Sequence, residues 1–500
     1  MSESRLIAHY SFLIPAKKYI VDFDITTSIP FPAFLELSIY LLDTLKVISP
    51  HELQSFFGID GNERDSLIQQ ILSTDLAFTN ENGDLELTSK VDELRQSDGS
   101  IQLEKYENHS ASFFVDLASK HIQPRSSDPG KAGFLELISE ENFHNELSAE
   151  IIFRDDFNRF KSYSTNKNIK NSKSRLYRIN NCEYESLVDF PVSVDVNSEF
   201  QSDGHLKIAT SLSGFSENDI DLVANSGILR YINEELNKHL ECHDSLLPED
   251  YCSNVQDPVL LNFFSDSKEF DIEKYLLARG ERKTGYNSQK TTGLLGAIYL
   301  PKNRSRLIEW LRKLPNLQPI LWVPSSSTYW GASAYMKAFY DELHELLREK
   351  GSKLSLIVPK AGTQQDAYEL RQRFGGLVDT IQYLPTSDPL DEMEIMIVPG
   401  YPCWAMVQYH ARISPNYNLR NIRIPIGYIT YDIELVKNIW SIMLRRANFN
   451  DGFTIESLGK ESKPDPDILN CFTHTPNWRV SESKDENIYE GMASFGEEGQ

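Results

Sequence analysis

The sequence predicts a multidomain protein that combines α/β and α+β folds. The chain has 500 residues, which at roughly 100–200 residues per domain suggests about three domains. Apolar residues make up 40% of the chain and aromatic residues 11%, which is enough to build buried cores. From about Thr292 strands and helices alternate regularly, whereas the preceding pattern is mixed. The predicted divisions are 1–100, a mixed α+β region at 101–290, an α/β domain at 291–450 and an acidic polar tail at 451–500.

The net charge and the spacing of the cysteines indicate which kinds of partner and which cellular compartment are compatible with the sequence. A net charge of -23 works against broad, non-specific attraction to nucleic acid or anionic membranes, although a local basic patch remains compatible with it. The five cysteines lie far apart, a pattern typical of free thiols in a reducing compartment. No spacing matches a metal site, so no metal and no cofactor are expected. No signal-peptide pattern and no run of the ~20 apolar residues needed to cross a bilayer occur, which predicts a cytoplasmic, bacterial protein without a membrane partner.

Residues 5–29 alternate between apolar and polar side chains in the manner of a strand. Three helices are predicted next, from Ala33, from Pro50 and at about Glu63–Ser73. Ser49 and Glu52 form a capping box at the start of the second helix, because each side chain can satisfy the other residue's backbone N–H. A hairpin is expected around Asn82-Gly83, since this dipeptide favours the tight turn between two strands.

This order of elements resembles the winged helix-turn-helix family over about residues 30–95. The resemblance implies DNA contact through the third helix, and a transcription regulator of this kind would use Arg64. Carboxylates at Glu63, Asp65 and Glu81 would repel phosphates instead. Docking of a protein partner is therefore the alternative function of this module.

One basic segment interrupts the acidic chain between residues 154 and 178. Its cations and interleaved aromatic side chains are Arg154, Arg159, Lys161, Lys167, Lys170, Lys173, Arg175 and Arg178, with Phe157, Phe160, Tyr163 and Tyr177. Cations combined with aromatic rings suit single-stranded nucleic acid, whose bases stack on the rings. The polar, low-complexity stretch within the segment equally predicts a solvated loop. Both interpretations stay open at this point.

An enzymatic alternative uses histidines and cations elsewhere in the chain. His205 and Lys207 are two residues apart on a predicted strand, so both side chains would lie on one face, an arrangement that a phosphodiester-cleaving site could use. His410 and Arg412 could contribute to the same site. The competing interpretation is an ordinary exposed strand face.

The C-terminal pattern predicts a three-layer α/β domain with a largely parallel sheet. Predicted strands occur at 294–300, 319–323, 354–358, 380–384, 395–398 and 424–431, with helices at 304–314, 325–350, 366–374 and 433–446. The stretches ILWVPSSSTYWGASAYMKAFYDELHELLREKGSKLSLIVPK and LRQRFGGLVDTIQYLPTSDPLDEMEIMIVPG resemble the phospholipase D family over about residues 292–446.

That resemblance implies a fold without the family's chemistry. The family signature His-x-Lys-x4-Asp supplies a nucleophile and a cation for phosphodiester cleavage. At the matching positions this chain has Glu392, Glu394 and Pro399, and the two carboxylates would repel a phosphate. Glu392 and Glu394 could form an acid–base pair of another kind, or simply an exposed strand face.

The resulting functional prediction is a non-catalytic scaffold or sensor subunit of a bacterial multi-protein system that acts on nucleic acid, with anti-phage defence as the setting. Its partners would be other protein subunits, with nucleic acid bound through the local basic segment. The alternatives are a phosphodiesterase or nuclease with an unrecognised site, and a DNA-binding transcription regulator.

Overall fold

A computed structural model gives the fold. It describes residues 4–29, 32–94, 103–124, 130–137, 148–213, 219–238, 246–280, 290–314, 318–325, 329–359, 363–384, 392–413, 423–446, 456–457 and 465–478. Within these ranges the strands form three sheets. Most of the tail predicted at 451–500, including residues 479–500, lies outside the described residues. No helix in the described ranges is both long enough and apolar enough to cross a membrane.

The first sheet is built on two unusually long antiparallel strands. Its elements are β1 (Arg5–Ile29), β5 (Leu103–Asp116), β6 (Ile122–Gln123), β7 (Leu135–Glu136), β8 (Ser174–Phe200) and β9 (Leu206–Leu212). The strand order is β6-β5-β1-β8-β9, and β7 pairs with β1. Helices α5 (Ala149–Asp155), α6 (Phe157–Tyr163), α7 (Lys167–Lys170) and α8 (Asp219–Lys238) belong to the same region. The predicted strand at 5–29 is confirmed. It pairs with β5 and β8 of the middle region, so it belongs to the sheet of that region and not to the helical module that follows it.

The helical module between β1 and β5 follows the local signals closely. It comprises α1 (Ala33–Leu45), β2 (Val47–Ile48), α2 (Pro50–Phe57), α3 (Gly61–Ser73), β3 (Ala77–Thr79), β4 (Leu85–Leu87) and α4 (Lys90–Leu94). The Ser49–Glu52 capping box is present, and α2 ends at Gly58 with φ 65°, a left-handed conformation that glycine adopts without strain. The small sheet has the order β2-β4-β3 and packs its Leu85 side into the helical core.

The C-terminal region forms an eight-stranded sheet flanked by helices. Its elements are β10 (Thr291–Leu295), α11 (Pro301–Lys313), β11 (Ile320–Val323), α12 (Ala334–Glu349), β12 (Leu354–Pro359), α13 (Gln364–Phe374), β13 (Thr380–Leu384), β14 (Met393–Val398), β15 (Trp404–Arg412), β16 (Arg423–Thr430), α14 (Ile433–Arg446), β17 (Glu456–Ser457) and α15 (Pro466–Thr473). The short helices α9 (Pro248–Asn254) and α10 (Ile272–Gly280) precede it.

The predicted parallel sheet is wrong in this region. The order is β10-β16-β15-β14-β11-β12-β13-β17, and only β11–β12 and β12–β13 are parallel pairs. Strand β15 was not predicted, and it converts the second half of the sheet into an antiparallel meander with β14 and β16. Its first four residues form an apolar run without alternation, although Gln408, His410 and Arg412 then alternate with apolar residues, a strand signal that the sequence contained.

The first strand also joins the two large sheets. The Ser11 N–H donates to the Ala332 carbonyl at 2.8 Å, and the Ser11 hydroxyl accepts from the Ala334 N–H at 2.9 Å. His9 Nδ1 lies 2.7 Å from the Ser333 hydroxyl, and Ser333 caps α12. These contacts satisfy N–H groups at the start of α12 that the helix itself leaves unpaired.

Candidate functional site

The basic segment is helical and not a solvated loop. Helices α5, α6 and α7 occupy most of residues 149–170, and β8 begins at Ser174. Phe153, Phe157 and Phe160 are at most 6% exposed and pack around Phe23 of β1, with ring centroids 5.1–5.9 Å away. Phe157 and Phe160 are therefore core residues and cannot stack on bases.

Arg159 is also a core residue and not part of a surface patch. It is 2% exposed, and its Nη2 donates to Gln123 Oε1 at 3.4 Å. Gln123 in turn donates to the buried carboxylate of Asp116 at 2.6 Å, whose pKa is raised by burial. This chain of hydrogen bonds from Arg159 through Gln123 to Asp116 fixes α6 on the first sheet.

Four of the remaining cations line an open cavity of about 530 Å³ at the junction of α5, α6 and β8. Its lining residues include Arg154, Lys161, Arg175 and Arg178. None of the described lining residues carries a carboxylate. The cavity therefore concentrates positive charge on a strongly acidic protein.

These four cations differ in how far they are already engaged. The Arg178 Nε donates to Asp24 Oδ2 at 2.6 Å, although its side chain remains 65% exposed. Lys161 donates to the Ser174 carbonyl at 2.7 Å, and burial of its ammonium group lowers its pKa. Arg154 and Arg175 are exposed and have no ion pair within the described part of the chain. These two guanidinium groups are the most available for an anion.

The other predicted cations lie beside the cavity and do not line it. Lys167, Lys170 and Lys173 are exposed on α7 and on the turn that follows it. They extend the positive surface away from the cavity, so a longer polyanion could contact them while a small anion would not.

One exposed tyrosine lines the cavity, and a second exposed tyrosine packs against the first. Tyr177 lines the cavity and occupies the bulge of β8 opposite Asp24 and Ile25. Its ring packs edge-to-face on Tyr106 of β5, with centroids 4.9 Å apart, and the two residues are 57% and 54% exposed. Tyr106 was missed from the sequence, although strand alternation through residues 106–112 places it on the outer face of the sheet.

The phospholipase D-like signature positions lie in the core of the second large sheet. Glu392 is 2% exposed and Glu394 0%, and Pro399 is buried. The prediction of an exposed strand face is therefore wrong. Alternate side chains of β14 enter two different hydrophobic clusters, Ile395 and Ile397 on one face of the sheet and Met396 and Val398 on the other, so both faces of the strand are covered.

Each buried carboxylate has a fixed set of partners. Glu394 Oε2 lies 2.8 Å from His410 Nε2, and Glu394 Oε1 accepts from the Trp322 indole N–H at 2.8 Å. Glu392 Oε1 lies 3.5 Å from Arg423 Nη1, and its other oxygen accepts from the Leu246 N–H at 3.2 Å. Paired buried charges of this kind are structural, because desolvated carboxylates require cationic or N–H partners.

The cavity that the described residues form beside this cluster is small. It is lined by Tyr10, Tyr299, Tyr329, His410 and Arg423 and has a volume of about 10 Å³, which is room for at most one water. This cavity is therefore too small to hold a phosphodiester against His410.

The residues of the enzymatic alternative are not brought together. His205 is 78% exposed beside Glu273, 3.4 Å away, and Lys207 is exposed on β9, an edge strand of the first sheet. His410 is buried in the other large sheet. Arg412 is half-buried, and its carbonyl accepts from the Phe270 N–H at 2.7 Å.

Arg64, the cation that a DNA-binding third helix would need, is already engaged. Its guanidinium group forms an ion pair of 2.6 Å with Asp65 and donates to Gln54 Oε1 at 3.1 Å. Binding of a phosphate would have to displace an adjacent carboxylate.

Comparison with known proteins gives no family for this chain. No protein-family model matches the sequence, and no curated protein has significant similarity to it. A solved structure of TrmBL2, described as an archaeal chromatin protein with a novel mode of DNA binding, is 9% identical. The alignment covers 84% of this chain and 91% of that chain, with a TM-score of 0.17. That score is too low to establish a shared fold.

Proposed function

We propose that this chain is a non-catalytic scaffold or sensor subunit of a bacterial multi-protein system, and that it binds single-stranded nucleic acid in the basic cavity. The observation that carries the proposal is the cavity itself, whose described lining residues include four cations and an exposed tyrosine but no carboxylate. Anti-phage defence is the setting implied by the combination of winged-helix-like and phospholipase D-like resemblances.

Cavity size favours a flexible strand over a duplex. A volume of about 530 Å³ falls within the roughly 300–1,000 Å³ typical of small-ligand sites, which suits one nucleotide unit and not a double helix. Arg154 and Arg175 would contact the backbone phosphates, and Tyr177 would stack on a base, the combination used by proteins that bind single strands.

The buried carboxylates support the non-catalytic part of the proposal. Glu392 and Glu394 occupy the places where an active relative would present an imidazole and an ammonium group, and both are paired and enclosed. Among the described residues these positions offer paired carboxylates in place of a nucleophile, which favours a scaffold role for the α/β domain.

Fluorescence anisotropy with a labelled oligo-dT strand tests the proposal. The double variant Arg154→Ala/Arg175→Ala should weaken binding at least about tenfold, because a hydrogen bond to a charged group contributes roughly 1.5–3 kcal/mol. The slope of log affinity against log salt should also become shallower by about 1.4, since each lost phosphate contact removes about 0.7 for a single strand.

A matched control removes the same charge elsewhere. Arg312 and Lys337 are exposed on α11 and α12, so Arg312→Ala/Lys337→Ala should leave both affinity and salt slope unchanged. Equal loss in the two double variants would mean that only bulk charge matters and would refute the cavity as the site. Cleavage of the labelled strand by purified wild-type protein would refute the non-catalytic assignment.

A further inference from the structure

We infer that the exposed apolar side of α1 and α2 is a docking surface for a cationic amphipathic helix of a partner protein. The inference rests on the proposed role as a subunit of a larger assembly, and it is independent of nucleic-acid binding. We call this surface the α1–α2 seam and define it by Phe34, Leu37, Leu41, Leu45, Phe56 and Phe57.

Helix α1 is apolar on two sides. Its inner side buries Leu35 and Leu42, which are at most 5% exposed. On its outer side Phe34, Leu37 and Leu45 are 58%, 52% and 57% exposed. A helix that is apolar around most of its circumference is normally covered on both sides. Nothing in the described residues covers the outer side.

The seam has the geometry of a helix-packing site. Residues 34, 37 and 41 follow the i, i+3, i+7 spacing with which one helix packs along another. The Phe34 ring contacts Phe57 of α2 with centroids 5.6 Å apart, and Phe57 contacts Phe56 at 5.2 Å. Phe56 is 62% exposed. The apolar strip therefore runs continuously from α1 onto α2, long enough to seat a partner helix.

The negative charge of the module indicates which kind of partner helix would bind to the seam. Residues 33–94 contain 12 acidic and 3 basic residues, a net charge of -9. All three cations already pair within the module, in the ion pairs Lys46–Asp43, Arg64–Asp65 and Lys90–Asp75. On α2 the exposed Glu52 lies four residues before Phe56, so its carboxylate stands beside the seam on the same side of that helix.

The excess of negative charge on the module argues against a second copy of this chain as the partner at the seam. Two copies of the module meeting seam to seam would oppose two charges of -9 across a short distance, which is unfavourable. A helix with leucine-like residues at the same spacing and lysine or arginine on its flanks matches both the apolar strip and the acidic charge of the module around it.

Binding of a synthetic peptide to the full chain tests the inference. The probe is a helix-forming peptide with leucine at the first and fourth positions of each heptad and lysine at the others; the control peptide has glutamate in place of lysine. We expect the lysine peptide to bind, with an affinity that falls as salt is added, and the glutamate peptide not to bind.

The double variant Leu37→Ser/Phe56→Ser should weaken peptide binding at least about tenfold, because apolar anchors at the centre of an interface contribute most of its affinity. Phe78→Ser is the matched control. Phe78 is 44% exposed, but it pairs with Glu86 across from the Leu85 side of the small sheet and so faces away from the helices.

Three results would overturn the inference. The first is equal binding of the peptide to the double variant and to wild type. The second is a concentration-dependent dimer in sedimentation that the double variant abolishes, which would assign the seam to a second copy. The third is a large fall in the melting temperature of the double variant, which would show that the chain itself covers the seam. Oligonucleotide binding is measured on the same proteins, so failure of the cavity proposal is distinguished from failure of this one.

Discussion

Removal of the buried carboxylate of Glu394 should destabilise the C-terminal domain strongly. Glu394 is fully buried and bonds both His410 and Trp322 at 2.8 Å. In Glu394→Ala the imidazole and the indole N–H would lose their acceptor in a place that water does not reach.

The expected magnitude follows from the number of groups left unpaired. Removal of one partner from a buried pair costs about 3–5 kcal/mol. At about 2–4 °C per kcal/mol for a domain of 150–250 residues, the melting temperature should fall by roughly 6–20 °C. Glu394→Gln retains an oxygen for Trp322, so its effect should be smaller, about 1–3 kcal/mol.

Tryptophan fluorescence measures this domain selectively, because all six tryptophans lie between Trp310 and Trp478. The matched control is Glu434→Ala on α14, where the carboxylate is 81% exposed in a pair with Lys437. That substitution should change stability by less than about 0.5 kcal/mol.

A fall in stability of less than about 0.5 kcal/mol in Glu394→Ala would refute the account of a paired, inaccessible carboxylate. A rise in the stability of Glu394→Ala would contradict this account more strongly, because removal of a carboxylate stabilises a fold when that carboxylate is held in a strained, catalytic arrangement. A double-mutant cycle with His410→Ala should show a coupling energy of about 0.5–3 kcal/mol between the two residues. Once His410 is absent, removal of Glu394 no longer leaves an unpaired imidazole.

Three further predictions concern other parts of the chain. Phe23→Ala should cost about 3–5 kcal/mol and abolish oligonucleotide binding, because the helices that line the cavity pack on Phe23; retained binding at full affinity would contradict this. The pKa of His9 is lowered from 6.5 to about 4 because burial desolvates its imidazolium. The unfolded chain therefore binds the proton more tightly, and stability should fall by up to roughly 3 kcal/mol as pH drops from 6.5 to 4. His9→Asn should remove that part of the pH dependence, and an unchanged profile would refute the assignment. Lys353 bonds Asp465 and Asp467 at 2.8 Å, so Lys353→Ala should speed amide hydrogen exchange in α15 while the core melts within about 1 kcal/mol of wild type.

The helical module shows how far local signals reach. Its helices, their caps and its hairpin were predicted within a few residues, because each depends on contacts between near neighbours in the chain. The Ser49–Glu52 capping box is one such contact, since the two residues are only three apart. Asp60 and Glu63 form a second capping box, a signal that the sequence contained and that was not used.

The basic segment shows where such signals fail. Its polar residues suggested a loop, but Phe153, Phe157 and Phe160 recur at helical spacing and bury themselves against Phe23, more than 100 residues earlier in the chain. The same burial separates Arg159 from the cations that line the cavity. The packing of this segment on the first large sheet therefore decided which of its cations are exposed to solvent.

Composition and short-range pattern determined the helices, the capping residues, the acidic character of the module and the presence of a basic segment, because those properties belong to neighbouring residues. Tertiary structure alone decided that Glu394 meets His410, that Tyr177 meets Tyr106, and that the outer side of α1 stays uncovered. Each of these depends on strand pairing and packing between distant segments, and pairing is set by the burial of whole faces and not by any single stretch of sequence.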